Sequence, residues 1–197
     1  MNMSREVKIL IGLLVALGIV FGALAYLNFK QEQENGALEE VVIQDNRTFE
    51  EVIVGLDTSE KLIDYLNKYF TIEDRGGDKA YVPEEFFEKK KGEPWDFAAF
   101  VSYVLFENKY ESVIMRYKYK DQTEKEGINV AVVFRDGDLP KTIIFTSGVS
   151  EIYAHGWSFE DMFQKEEERL NIKIQEYSIS YWTDAGELWP EEWFKRE

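Results

Sequence analysis

The chain has 197 residues, a formal net charge of −15, no cysteine and a single histidine, His155. Without cysteine there are no disulfides, thiolate nucleophiles or thiolate metal sites, and one histidine excludes any site that needs two. A surface this acidic repels phosphate backbones and no basic patch offsets it, so no nucleic-acid partner is expected.

Residues 9–27, ILIGLLVALGIVFGALAYL, contain no charged side chain. Such a run spans a hydrocarbon core of ~30 Å at ~1.5 Å per residue. Arg5 and Lys8 precede it and an acidic stretch follows Lys30, so the positive-inside bias leaves residues 1–8 as a cytoplasmic tail and places the rest outside. The length of the run favours an uncleaved signal anchor and a single-pass protein of the cell membrane. The alternative is a signal peptide cleaved after Ala25, at Ala23-Leu24-Ala25, which makes the domain secreted. A lipoprotein is excluded because that attachment needs a cysteine. About 160 residues remain, enough for one domain with a real core.

Residues 28–57 are expected to be a linker and lead-in, with the domain at 58–197. Within the lead-in, VVIQDNRTFEEVIVGL mixes apolar and acidic positions and is compatible with helix or strand. From Thr58 the period is helical, with Leu62, Ile63, Leu66 and Phe70 on one face and Thr58 or Ser59 as cap. Asp74–Asp78 is a loop. Pro83 opens a short helix with acids in its first turn and lysines at its end. After Gly92, residues 95–108 form a helix that is apolar on nearly all sides and so buried.

Beyond it the period falls to two. Ser112–Tyr119 is a strand with Val113, Met115, Tyr117 and Tyr119 on one face. Asn129–Arg135 is another, with Val130, Val132 and Phe134 on one face. Asp136-Gly137 is a hairpin turn rather than part of a calcium loop, since further ligands at the right spacing are lacking. Thr142–Thr146 is the next strand. Ser158 with Asp161 starts a helix, in which Glu166–Glu168 reads as a solvated face. A last strand covers 172–182, its alternation slipping between Ile174 and Tyr177 as at a bulge. Helices first, then an antiparallel meander, then a helix and a strand indicate an α+β fold, with N-terminal helices packed on an antiparallel sheet and one transmembrane helix before them.

One segment carries a resemblance. Gly92-Glu93-Pro94-Trp95-Asp96-Phe97-Ala98 resembles the G-x-C-x-D-F-A segment of the transglutaminase-like family, a branch of the papain-like fold. Gly92, Asp96, Phe97 and Ala98 match, and Pro94 stands where the family has its cysteine. The run Asn129–Gly137 resembles the family's histidine-bearing strand, with Asn129 at the histidine position. The third family position falls near Phe145–Ser147, where there is no acid. The resemblance implies a transglutaminase-like domain stripped of its chemistry. A thiol at a helix N-terminus is activated by the dipole and a histidine, whereas Pro94 has no nucleophilic atom and Asn129 transfers no proton near neutral pH. Proline suits the first helical position, so the scaffold survives.

The expected site is therefore a cleft at Glu93, Pro94, Trp95, Asp96 and Asn129, without catalytic residues, metal or cofactor. The expected function is a non-catalytic, membrane-anchored binding module, with a peptide, a cell-wall polymer or a membrane protein as partner. The alternative is a hydrolase of another class that uses Glu93 and Asp96 as paired carboxylates. Asp96 has a plainer reading as an acid favouring the helix start. His155 reads as a loop residue, and no G-x-S-x-G elbow supports a serine triad. Trp182, Trp189 and Trp193 read as cover for a core edge or as a stacking platform.

Overall fold

Thr48 and Glu51 start the first helix of the computed structural model, which describes residues 45–196 apart from 78, 147, 148, 155, 157, 190 and 191. The Glu51 N–H donates to Thr48 Oγ1 at 3.2 Å and the Thr48 N–H to Glu51 Oε2 at 2.8 Å. This capping box opens α1, Phe49–Gly55. The β-branched run Val52-Ile53-Val54 competes for strand, but the cap and the burial of Val52, Ile53 and Leu56 decide for helix. The segment read as lead-in thus contributes a helix to the same core as the rest of the domain. Asn108 ties it down, donating from Nδ2 to the Ile53 carbonyl at 3.0 Å and so satisfying an orphan acceptor at a helix end.

Helix α2, Ser59–Tyr69, is capped by Thr58 and buries Leu62, Tyr65 and Leu66. Helix α3, Pro83–Lys89, begins on proline as the sequence predicts and ends at Lys90 in the left-handed region, φ 56°. Helix α4 runs Pro94–Glu107, one residue earlier than its apolar pattern suggests, because Pro94 itself takes the first helical position. Its residues from Asp96 to Val101 are all buried, with Ser102, Val104 and Leu105. Two short parallel strands, β1 (Thr71–Ile72) and β2 (Lys91–Gly92), pair beside its start.

The main sheet has six strands: β3 (Ser112–Asp121), β4 (Glu126–Asp136), β5 (Leu139–Thr146), β6 (Val149–Ala154), β7 (Ile172–Ser180) and β8 (Glu192–Lys195). Their order is β6-β5-β4-β3-β7-β8, and every neighbouring pair is antiparallel. β4 starts at Glu126 and β5 at Leu139, three residues before the apolar alternation in each, because ladder hydrogen bonds extend past the buried stretch. The irregularity expected in the last strand is present: Lys118 pairs with Glu176 but Tyr119 with Ile174, leaving Gln175 as the extra residue of a bulge. Gly137 turns the β4–β5 hairpin at φ 64°.

The sheet is covered on both faces. Helices α1–α4 lie on one, against Ile114, Val130, Val132, Phe134, Ile143 and Phe145. Helix α5, Phe159–Leu170, lies on the other, where Met162 and Phe163 meet Met115, Tyr117, Ala131, Val133 and Ile144. Two-sided burial explains why Val130–Phe134 is a continuous apolar run.

The solvated reading of Glu166–Glu168 is corrected at its first residue. Glu166 is fully buried, accepting from the Tyr117 hydroxyl at 2.6 Å and pairing with Arg169 at 2.9 Å. It lies one turn beyond Met162, on the stripe that faces the sheet. The predicted membrane segment, residues 9–27, and His155 lie outside the described residues; among the described residues no helix is long and apolar enough to cross a membrane.

Candidate functional site

The N-terminus of α4 is built around Asp96. Its carboxylate is fully buried and accepts four hydrogen bonds: Arg75 Nε at 2.9 Å and Nη2 at 2.8 Å, the Tyr81 N–H at 2.7 Å and the Glu93 N–H at 2.7 Å. The bidentate pair fixes the guanidinium in plane, and its carbon lies 4.0 Å from the centroid of the Tyr81 ring. The hydrogen bond to Asp96 raises the Arg75 pKa further above its ordinary value, so Arg75 stays a cation. Arg75 also donates to the Lys79 carbonyl.

Gly92 is explained by the same group. A Cβ there would stand 2.5 Å from Asp96 Oδ2, so any larger residue pushes the carboxylate out of its nest. The Gly92…Asp96 spacing is thus a packing requirement of this helix start, independent of any nucleophile.

Glu93 closes the loop from the other side. Its Oε1 accepts from the Arg75 and Gly77 N–H groups, each at 3.0 Å. Together the two carboxylates tie Arg75, Gly77 and Tyr81 to the start of α4. That geometry argues against using them as a catalytic pair. Asp96 has no exposed edge and its acceptor sites are engaged, and Glu93 is committed to backbone donors.

Beside this hub lies a cleft of about 650 Å³, lined by Ile72, Glu73, Asp74, Gly76, Gly77, Glu93, Pro94, Trp95, Arg116, Ile128, Asn129 and Val130. The structure therefore brings Glu93, Pro94, Trp95 and Asn129 to one cavity and leaves Asp96 behind its wall. Pro94 sits at the first position of α4, at the positive end of the helix dipole.

Asn129 lines this cavity, but strand alternation refines how. It pairs across the ladder with Tyr117, which faces α5, whereas Val130 faces α4. The side chains of β4 on the α4 face are those of Ile128 and Val130. Asn129 Oδ1 accepts from the Val130 N–H at 2.9 Å. On the α4 face Ile128 is a large apolar side chain left 54% exposed. Neither Ile128 nor Asn129 offers a proton-transfer group.

Sequence reasoning missed Arg116. It reaches the cleft from β3, its guanidinium carbon 4.9 Å from the Trp95 ring centroid and 5.7 Å from that of Trp193. Lys118, two residues on, lies 4.2 Å from Trp193 and pairs with Glu176 at 2.7 Å. The strand pattern carries the signal: Arg116 and Lys118 alternate with Met115 and Tyr117, and so share the face of Ile114.

The three C-terminal tryptophans have separate roles. Trp182 donates from Nε1 to the Ala99 carbonyl at 3.2 Å and covers the edge of α4. Trp189 stacks on Tyr181, with centroids 5.8 Å apart. Trp193 lies against Arg116, which lines the cleft, and against Lys118 outside it. Among the described residues, no group of three or more His, Cys, Asp or Glu side chains could hold a metal ion.

No protein-family model matches the chain, and no curated protein matches it. Solved structures of Legionella pneumophila LapG are similar. One matches at 18% identity and a TM-score of 0.41, covering 66% of this chain and 65% of that one. The EGTA-treated form matches at 18% identity and a TM-score of 0.41, covering 66% of this chain and 63% of that one. The calcium-bound form matches at 17% and 0.40, covering 66% and 65%. The chain spans a little under two thirds of the length of these structures.

Proposed function

We propose that this chain is a membrane-anchored binding module on a transglutaminase-like scaffold, whose cleft at the start of α4 holds a polypeptide segment and performs no thiol chemistry. The observation that carries the reading is the lining of the cleft. At the head of a buried helix, where the dipole would activate a nucleophile, stands Pro94; Ile128, Asn129, Trp95 and Arg116 line the same cavity. The anchor rests on the apolar run 9–27.

The cleft has the composition of a binding surface. Trp95 and Ile128 provide apolar area, and Arg116 is held against ring faces rather than flexing in solvent. An indole such as Trp95 is the kind of side chain that anchors an interface.

The test is a library of extended peptides screened against the full-length chain in lipid nanodiscs, with Trp95→Ala and Ile128→Ser as comparators. Peptides selected by the wild type are expected to lose about tenfold or more in affinity for each variant. Peptides that bind all three proteins equally would place recognition elsewhere and end this reading.

A further inference from the structure

The walls of the cleft carry charge asymmetrically. Glu73, Asp74 and Glu93 face it from one side and Arg116 from the other, three carboxylates against one guanidinium. Arg116 is flanked by the Trp95 and Trp193 rings. The Glu73 side chain is 43% exposed, and its partner Lys91, 3.2 Å away, is 58% exposed. Such an exposed pair is worth little and exchanges readily for an incoming cation. Asp74 accepts from the Gly76 N–H at 3.0 Å, which holds it on the rim. The whole chain adds a field of the same sign, with a net charge of −15. Acidic walls around an apolar floor concentrate cations and repel anions.

We infer that the partner of the cleft is an extended segment that is basic as well as apolar: apolar side chains seat on Trp95 and Ile128 while lysine or arginine side chains meet Glu73 and Asp74. This rests on the cleft being a polypeptide site, as proposed above. The two contributions are separable. The apolar seat supplies contact area for any extended peptide. The acidic wall selects among peptides and speeds their encounter. An acidic segment meets the wall and the field of the whole chain together.

The experiment uses the full-length chain in nanodiscs of uncharged lipid and three fluorescent probe peptides of roughly ten residues: alternating Lys/Ile, Ser/Ile and Glu/Ile. The Lys/Ile probe is expected to bind about tenfold or more tighter than the Ser/Ile probe, and the Glu/Ile probe weakest. Raising salt from about 0.05 to 0.5 M shortens the screening length several-fold and should erase most of the difference. Glu73→Gln combined with Asp74→Asn should bring the Lys/Ile probe to the affinity of the Ser/Ile probe and leave the latter unchanged. Trp95→Ala should weaken all three. If the Ser/Ile or Glu/Ile probe binds as well as Lys/Ile, the basic preference is overturned while the polypeptide site stands. If Lys/Ile binding ignores Trp95→Ala, it reflects the acidic surface at large and the inference fails. If no probe binds, the proposed function fails with it.

Discussion

Lys90 illustrates how a single side chain holds opposing demands. Its ammonium donates to Tyr65 Oη at 2.9 Å and lies 3.3 Å from the Phe87 ring centroid and 4.8 Å from that of Phe70. Burial penalises the charge and pushes the Lys90 pKa down to about 8, against the attraction of Asp45. Arg47, hydrogen-bonded to Asp45, holds that carboxyl well below the usual carboxylate range. Because the folded pKa of Lys90 lies below the unfolded one, the unfolded chain binds the extra proton between about pH 8 and 10. Stability from this residue is therefore lowest below pH 8 and rises through that window. Urea unfolding at pH 7, 8, 9 and 10 should show the wild type gaining roughly 1 kcal/mol relative to Lys90→Met, allowing for part exposure of the group. A flat difference between the two proteins would contradict the assignment.

Asp96 sets the larger effect at this scale. Asp96→Ala strands Arg75 and two backbone donors, and is expected to cost about 3–5 kcal/mol in urea unfolding. A residue that merely lined a cleft would cost under about 1 kcal/mol. The Gly92…Asp96 pairing was visible in the sequence, and so was a dipole role for Asp96. Its depth was not, because its main partner, Arg75, lies 21 residues earlier in a glycine-rich loop with no local signal. Glu166 was hidden for a related reason. An acidic run is usually solvated, and only the Met162 stripe on the same helix reveals which acid points inward.

At the scale of elements, periodicity was informative wherever one face was buried and one was not. Helices α2 and α5 carry their caps in the sequence, at Thr58 and Ser158, and α3 carries its first-position proline, Pro83. The bulge at Gln175 shows as a slip in alternation. Helix α1 was ambiguous because a capping box and a β-branched run point in opposite directions, and tertiary packing settles it. Strand β8 has only four residues and an exposed Phe194, so it carries almost no pattern of its own; it exists because β7 offers it an edge. The candidate site was legible along the chain but not across it. Pro94 and Trp95 were identified, whereas the facing side chains depend on the register of β4 with β3, which places Ile128 rather than Asn129 on the α4 face. The α1–α4 contact is testable: Asn108→Ala removes hydrogen bonds to Ile53 and Val104 and should cost about 1–2 kcal/mol in urea unfolding. Hydrogen exchange should show the loss concentrated in α1, and uniform loosening would argue that α1 is not docked through this residue.

For the molecule as a whole, a six-stranded antiparallel sheet with helices on both faces presents the start of α4 at the cleft. The scaffold rests on apolar burial and on the Asp96 hub, and neither requires a thiol. Replacing residues 9–27 with a soluble leader is expected to move the protein from the membrane pellet to the supernatant after alkaline extraction. Retention in the pellet would mean that another part of the chain anchors it. The head of the buried helix carries Pro94, and β4 brings Ile128 and Asn129 to the same cavity. The central claim is that this cleft holds a polypeptide without reacting with it. The direct measurement is mass spectrometry of a basic-apolar peptide recovered after prolonged incubation with the full-length protein. The account predicts a peptide retained by the wild type, released by Trp95→Ala and recovered at unchanged mass. A peptide recovered cleaved or deamidated by the wild type, with that change abolished by Trp95→Ala, would contradict it.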